Sequence, residues 1–214
     1  WNAVDCRAAV DSDGGRYKTA FDGTNLKTVI FGNKVANIHA GTFYGCDAIE
    51  SMYYTGNIAG WCGISGLNNL DLSKVYINNQ KLQEMTSVTI PDGVTVINDY
   101  AFSDCRSLTS VTIPGSVKII YGYAFFNCRA IESVYYTGDI ADWCKVIRYS
   151  SYLVSSNTSL YINGNKISGE LIIPDGITSI TYCAFAGCKG LTSVTISDSV
   201  TSIDDFAFGG CRDL

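Results

Sequence analysis

The chain has 214 residues, a formal net charge of −5 and a sequence pI near 4.7. With 47% apolar and only 16% charged residues it has the means to bury a core, which excludes a disordered chain. No apolar run reaches the roughly 20 residues of a membrane span. The 15 Lys and Arg are scattered through an acidic chain, a poor match to a phosphate backbone, so no nucleic-acid partner is expected.

Taken from the N-terminus, residues 1–25 show no pattern and are read as an irregular part. From Leu26 a frame sets in. Leu26-Lys-Thr-Val29-Ile-Phe31 is followed by Val35, Ile38, Phe43 and Cys46. The frame returns 23 residues apart as Met85-Thr-Ser-Val88-Thr-Ile90-Pro91 and Leu108-Thr-Ser-Val111-Thr-Ile113-Pro114, and later as Leu191-Thr-Ser-Val194-Thr-Ile196. Its second half recurs with equal regularity. Val94, Ile97, Ala101-Phe102 and Cys105 become Val117, Ile120, Ala124-Phe125 and Cys128. They come back as Ile177, Ile180, Ala184-Phe185 and Cys188, then as Val200, Ile203, Ala207-Phe208 and Cys211. Units start near 26, 49, 85, 108, 131, 168, 191 and 214.

Alternating Val-x-Ile after Leu-x-x predicts a short half-buried strand, closed by Pro at 91, 114 and 174, which has no N–H for a ladder. One strand per unit implies parallel stacking into one sheet along a solenoid. The Ala-Phe pair and the Cys fall on the return path, in turns or short helical segments. Cys46, Cys105, Cys128, Cys188 and Cys211 then form one column of packed free thiols, beside a spine of Phe43, Phe102, Phe125, Phe185 and Phe208. One unit alone cannot bury enough surface to offset the entropy of ordering it; a stack can.

Two units are longer, at 49–84 and 131–167, and their added material is itself repeated. Tyr53-Tyr-Thr-Gly-Asn-Ile-Ala-Gly-Trp61-Cys62 matches Tyr135-Tyr-Thr-Gly-Asp-Ile-Ala-Asp-Trp143-Cys144, and Tyr76-Ile-Asn-Asn matches Tyr161-Ile-Asn-Gly. Asn57 and Asp139 suit helix N-caps, predicting a short helix that ends near each Trp-Cys with the Cys packed behind it. Asn163-Gly164 predicts a tight turn between short strands.

Leu-Thr-Ser-Val-Thr-Ile-Pro, joined to Val-Thr-x-Ile-x-x-x-Ala-Phe-x-x-Cys, resembles the BspA-type leucine-rich repeat of bacterial surface proteins, from about Leu26 to Leu214. Ser197 and Gly32 depart from it where Pro would close the strand. The resemblance implies an α/β leucine-rich-repeat solenoid, residues 1–214 in a single domain. Its short parallel strands would stack into one curved sheet, with mostly turns and short helical segments on the return side. It also implies a secreted or cell-surface bacterial protein with no catalytic residues and no cofactor. The chain opens on Trp1 and stops at Leu214 in mid-pattern. It therefore reads as a piece of a longer protein whose export signal and anchor lie outside it.

Residues that could carry chemistry have plainer readings. His39, the single histidine, falls seven residues before Cys46, but the column position of that thiol argues against an exposed nucleophile. No Cys-x-x-Cys pair points to a metal, and Asp204-Asp205 suits a solvated loop better than acid–base work. Cys6 is unassigned, and Asn157-Thr-Ser159 is a glycosylation acceptor only in a eukaryotic host. More telling is the outer face of the strands, where the third and fifth residues of each unit point to solvent. Thr28 and Ile30, Ser51 and Tyr53, Ser87 and Thr89, Ser110 and Thr112, Ser133 and Tyr135, Glu170 and Ile172, and Ser193 and Thr195 make a hydroxyl surface broken by two tyrosines. Such residues also suit strands for their own sake. As a ligand face, the expected residues are Tyr53, Tyr135, Trp61, Trp143, Ser110 and Thr112.

The expected function is a non-catalytic binding module that engages an extracellular protein or glycan. The alternative is a structural spacer in a larger surface protein. End-to-end self-association through the open last coil at Leu214 is a further expectation.

Overall fold

The structure, a computed structural model, describes residues 26–43, 45–148, 153–154 and 158–214. The irregular part at 1–25, Cys6 and Asn157 lie outside the described residues. The elements run β1 (Thr28–Phe31), β2 (Ser51–Tyr54), α1 (Ile58–Cys62), β3 (Val75–Ile77), β4 (Gln80–Lys81), β5 (Ser87–Thr89) and β6 (Val96–Ile97). They continue as β7 (Ser110–Ile113), β8 (Ile119–Ile120), β9 (Ser133–Tyr136), α2 (Ile140–Lys145), β10 (Ile147–Arg148), β11 (Ser159–Ile162) and β12 (Asn165–Lys166). The chain closes with β13 (Gly169–Ile173), β14 (Ser179–Ile180), β15 (Leu191–Ile196) and β16 (Ser202–Ile203).

Each unit lays one strand on a front sheet, and neighbouring units pair in parallel and in register, Val88 with Val111 and Val111 with Val134. The inner residues of these strands are buried and the outer ones face solvent, as the alternation predicts. Behind the front sheet, the Val-x-x-Ile halves form narrower parallel ladders, β6 with β8 and β14 with β16, and β10 of the second long unit pairs with the other edge of β8. Side chains staple successive coils about one period apart: the Thr109 hydroxyl donates to the Thr86 carbonyl (2.9 Å), and Thr201 does the same to Thr178 (3.1 Å). These bonds give the backbone at each coil corner a partner in the next coil, which an isolated unit lacks.

On the return side phenylalanines stack between neighbouring coils. Phe102 stacks on Phe125 with centroids 5.3 Å apart, and Phe185 on Phe208 at 5.5 Å. Phe43 meets Phe31 edge-on, with centroids 5.8 Å apart. Cys46, Cys105, Cys128 and Cys188 are buried and Cys211 is half-buried; none of the five is in a disulfide. The thiols act as donors to carbonyls of the preceding coil, Cys128 to Phe102 (2.9 Å) and Cys211 to Phe185 (3.1 Å). Burial pushes the Cys188 thiol up to about 12, as expected where a thiolate would lose its hydration.

The long units depart from a simple insertion. Each holds two front strands: β2 and β3 in the first, β9 and β11 in the second, paired parallel. After the second strand the chain turns back at once as an antiparallel hairpin, β3–β4 or β11–β12. Asn78 and Asn79 (φ 51° and 63°), and Asn163 and Gly164 (φ 47° and 78°), put both central residues in the left-handed region that two-residue hairpins require. The hairpins interrupt the parallel stack, so the front strands fall into groups of β1–β4, β5 to β12, and β13 with β15. On the rear the coils pass the interruption directly. The Asn98 amide donates to the Cys62 carbonyl (2.9 Å), and Thr181 to that of Cys144 (3.1 Å).

The helices bear this rear junction. Asn57 caps α1 by accepting from the Gly60 amide (3.0 Å), and Asp139 caps α2 by accepting from that of Asp142 (2.7 Å). Their Trp and Cys residues face inward. Trp61 and Trp143 are fully buried, each at 0% exposure, and their indole N–H groups donate to Ala101 O (2.7 Å) and Ala184 O (2.8 Å) of the next regular coil. Cys62 and Cys144 are buried beside them.

Candidate binding face

The front face is where the repeat leaves side chains uncommitted. Register places Ile30, Tyr53, Tyr76 and Lys81 in one cross-strand row over β1 to β4. A second row, Thr89, Thr112, Tyr135, Tyr161 and Lys166, crosses β5 to β12. In each row two tyrosines stack. The Tyr53 and Tyr76 centroids lie 4.9 Å apart at an interplanar angle of 23°, and Tyr135 and Tyr161 lie 4.8 Å apart at 22°. Offset stacking at this separation contributes about 0.5–1.5 kcal/mol per pair and holds both rings upright on the sheet. Each pair ends at the lysine of a hairpin edge strand.

Of the residues expected on a ligand face, Tyr53, Tyr135, Ser110 and Thr112 lie on this sheet and reach solvent. Trp61 and Trp143 do not, which corrects their placement: they fill the core beneath the next coil, where each indole N–H finds a carbonyl. Tyr76 and Tyr161, the stacking partners, were not expected there. The signal for Tyr76 was available, since it follows Tyr53 by the 23-residue period; Tyr161 follows Tyr135 by 26 and escapes it.

Other clusters have structural roles. His39 is exposed whereas Cys46 is buried. Burial pushes the Cys62 thiol up to about 12, far from a reactive thiolate at neutral pH. No group of three or more His, Cys, Asp or Glu able to hold a metal occurs among the described residues. Nor, among those residues, is any helix long and apolar enough to cross a membrane. An open depression of about 320 Å³ lies between α2, the β11–β12 hairpin and Pro174. Its carboxylate, Asp139, is already engaged as a helix cap.

Parallel strands repeated every coil, joined by turns with a Phe and Cys column, define a leucine-rich-repeat solenoid. The BspA type leucine-rich repeat region matches residues 16–83, 75–169 and 162–214 in six copies, and the chain belongs to that family. Among solved structures it is similar to a leucine-rich cell surface protein of Faecalibacterium prausnitzii, at 24% identity and a TM-score of 0.47 over 88% of this chain and 59% of that one. A leucine-rich repeat protein of Eubacterium ventriosum matches at 17% identity and a TM-score of 0.43, over 89% of this chain and 60% of that one. One from Bacteroides ovatus matches at 19% and 0.29, over 100% and 81%. The chain thus spans about three-fifths of the length of the first two. A search of the curated proteins gives no match.

Proposed function

We propose that this chain is a non-catalytic binding module, exposed on or released from a bacterial cell, that engages an extracellular protein or glycan through its front sheet. The observation that carries this reading is the pair of stacked tyrosine stations, Tyr53–Tyr76 and Tyr135–Tyr161, held on the solvent side of the sheet. Tyrosine supplies contact area and a hydrogen-bonding tip with few rotors to freeze, and a pre-ordered stack lowers the ordering cost further. A rigid solenoid face gains affinity by summing modest contacts along its length.

The test is binding of the purified chain to arrays of matrix proteins, mucins and glycans, beside a Tyr53→Ala, Tyr135→Ala double variant. Saturable binding that the double variant loses, with its fold intact by circular dichroism, supports the module and its face. Binding that the variant keeps in full moves the site off the sheet.

A further inference from the structure

The two tyrosine stations open onto unlike ground. One face of the Tyr135 ring is covered by Tyr161; the other turns toward Thr112 on β7, and the residue is 40% exposed. Beyond it the sheet steps down to short side chains in two rows, Thr112 and Thr89 in one and Ser133, Ser110 and Ser87 in the other. At about 4.8 Å per strand, this tread extends roughly 10 Å from the ring. None of its outward residues is charged.

The hydroxyls of the tread differ from most of those at the coil corners. Thr109, Ser116, Ser199 and Thr201 donate to backbone carbonyls of the neighbouring coil. In the first station's group Thr28 is bonded to Ser51, and on β15 Thr195 is bonded to Glu170. Among the described residues the five tread hydroxyls make no side-chain hydrogen bond, and they stand at the surface as donors and acceptors.

Resting on the binding-module reading above, we infer that the step formed by Tyr135 and the Ser/Thr tread of β5, β7 and β9 is a subsite for a neutral carbohydrate. A pyranose ring lays its apolar C–H face against the free face of Tyr135, and its hydroxyls, or those of a second sugar, exchange hydrogen bonds with the tread. An acidic glycan would find no cation on the tread. A protein side chain of the apolar kind that anchors interfaces would leave the five hydroxyls desolvated and unpaired. The first station does not share the subsite, because the corresponding face of Tyr53 meets Ile30.

The experiment measures affinity for neutral polysaccharides (mannan, galactan, β-glucan and dextran) and their short oligosaccharides, by glycan array and then calorimetry. The full chain is compared with Tyr135→Ala, Tyr135→Phe, Ser110→Val with Thr112→Val, and Thr95→Ala. Expected are saturable binding to at least one neutral glycan, an about tenfold or greater loss in Tyr135→Ala and in the double valine variant, rescue to within about twofold in Tyr135→Phe, and retention within about twofold in Thr95→Ala, an exposed hydroxyl beside β6 on the rear. Valine keeps the shape of threonine at Thr112 and the strand preference at both positions, so the loss reports hydroxyls rather than folding. Binding only to charged glycans, equal loss in Thr95→Ala, or no loss in the valine variant overturns the subsite. So does a chain that binds matrix proteins but no neutral glycan, an outcome that leaves the broader module standing. Failure on every array removes both.

Discussion

The two long units are copies with one architecture, yet they surround equivalent tyrosines differently. Tyr54 and Tyr136 are both buried and both lean on the tryptophan of the following helix, with centroids 5.5 and 4.9 Å apart. In the second unit the Tyr136 hydroxyl donates to the Gly115 carbonyl (3.5 Å). In the first, the Tyr54 hydroxyl is buried without a partner among the described residues and lies over Gly60, where the second unit has Asp142. Burial raises the Tyr54 phenol above its ordinary value, since the phenolate would lose its water there. Packing shape has thus been kept in both copies, while polar satisfaction has been kept in one. The difference teaches which parts of the unit the solenoid demands: the Trp at the rear junction and the hairpin at the front recur unchanged, and the polar detail between them drifts.

If that division is correct, the largest effects lie where the copies agree. Trp61→Ala and Trp143→Ala should each cost about 3–5 kcal/mol, combining a large cavity with an orphaned Ala101 or Ala184 carbonyl. Urea unfolding of each variant measures this, and a cost below about 1 kcal/mol for either would remove the Trp from its bridging role. The alkaline limb comes next. Cys62, behind α1, and Cys188, in the regular column, are both pushed up to about 12 from an ordinary value of 9.0, by burial. Both keep their protons in the fold while the unfolded chain releases them, so stability is full below pH 9 and falls as pH rises toward 12. Replacing either Cys by Ala should flatten that fall by up to about 1.4 kcal/mol per pH unit. Urea midpoints collected from pH 8 to 11 would show equal slopes in parent and variant if the thiols were solvated.

How much of this was legible from the residues depends on whether the signal lay in spacing or in contact. The columns of Phe102, Phe125, Cys105 and Cys128 were readable because a 23-residue period forces equivalent residues on top of one another. The helix caps at Asn57 and Asp139 and the Asn163-Gly164 turn were readable because their chemistry is local. The second front strand of each long unit was legible only in part: Asn163-Gly164 announces short strands and Tyr76 keeps the 23-residue spacing from Tyr53, but Tyr161 breaks that spacing, and pairing is what sets both strands beside β2 and β9. Trp61 and Trp143 were misplaced for a related reason. A tryptophan beside tyrosines suits an exposed face as well as a core, and the decision rests on carbonyls some forty residues away in the next coil.

Smaller in scale, Gly60→Ala should separate the copies. A methyl at Gly60 would overlap the Tyr54 hydroxyl, so despite a helix-propensity gain near 1 kcal/mol the substitution should destabilise by about 1–2 kcal/mol. Asp142→Ala, at the equivalent exchange in α2, should stay within about 0.5 kcal/mol, because that side chain is partly exposed and makes a long 3.8 Å surface ion pair with Lys118. Thermal melts of both variants compare them directly; equal shifts would deny the contact between Tyr54 and α1.

The smallest change is the sharpest test of the comparison. Tyr54→Phe deletes a buried hydroxyl that has no partner, so it should stabilise the chain, by about 1 kcal/mol, through relief of desolvation. Tyr136→Phe deletes a hydroxyl with a long bond to Gly115, so it should be neutral or cost up to about 1 kcal/mol. Opposite signs at equivalent positions cannot arise from a general preference for phenylalanine in the core, because both rings pack on a tryptophan in the same way. Combining Tyr54→Phe with Gly60→Ala completes a double-mutant cycle, and the pair should cost less than the sum of the singles because the overlapping oxygen is gone. Additive behaviour, or a Tyr54→Phe variant that melts lower than the parent, would mean that the first copy satisfies its tyrosine as well as the second does.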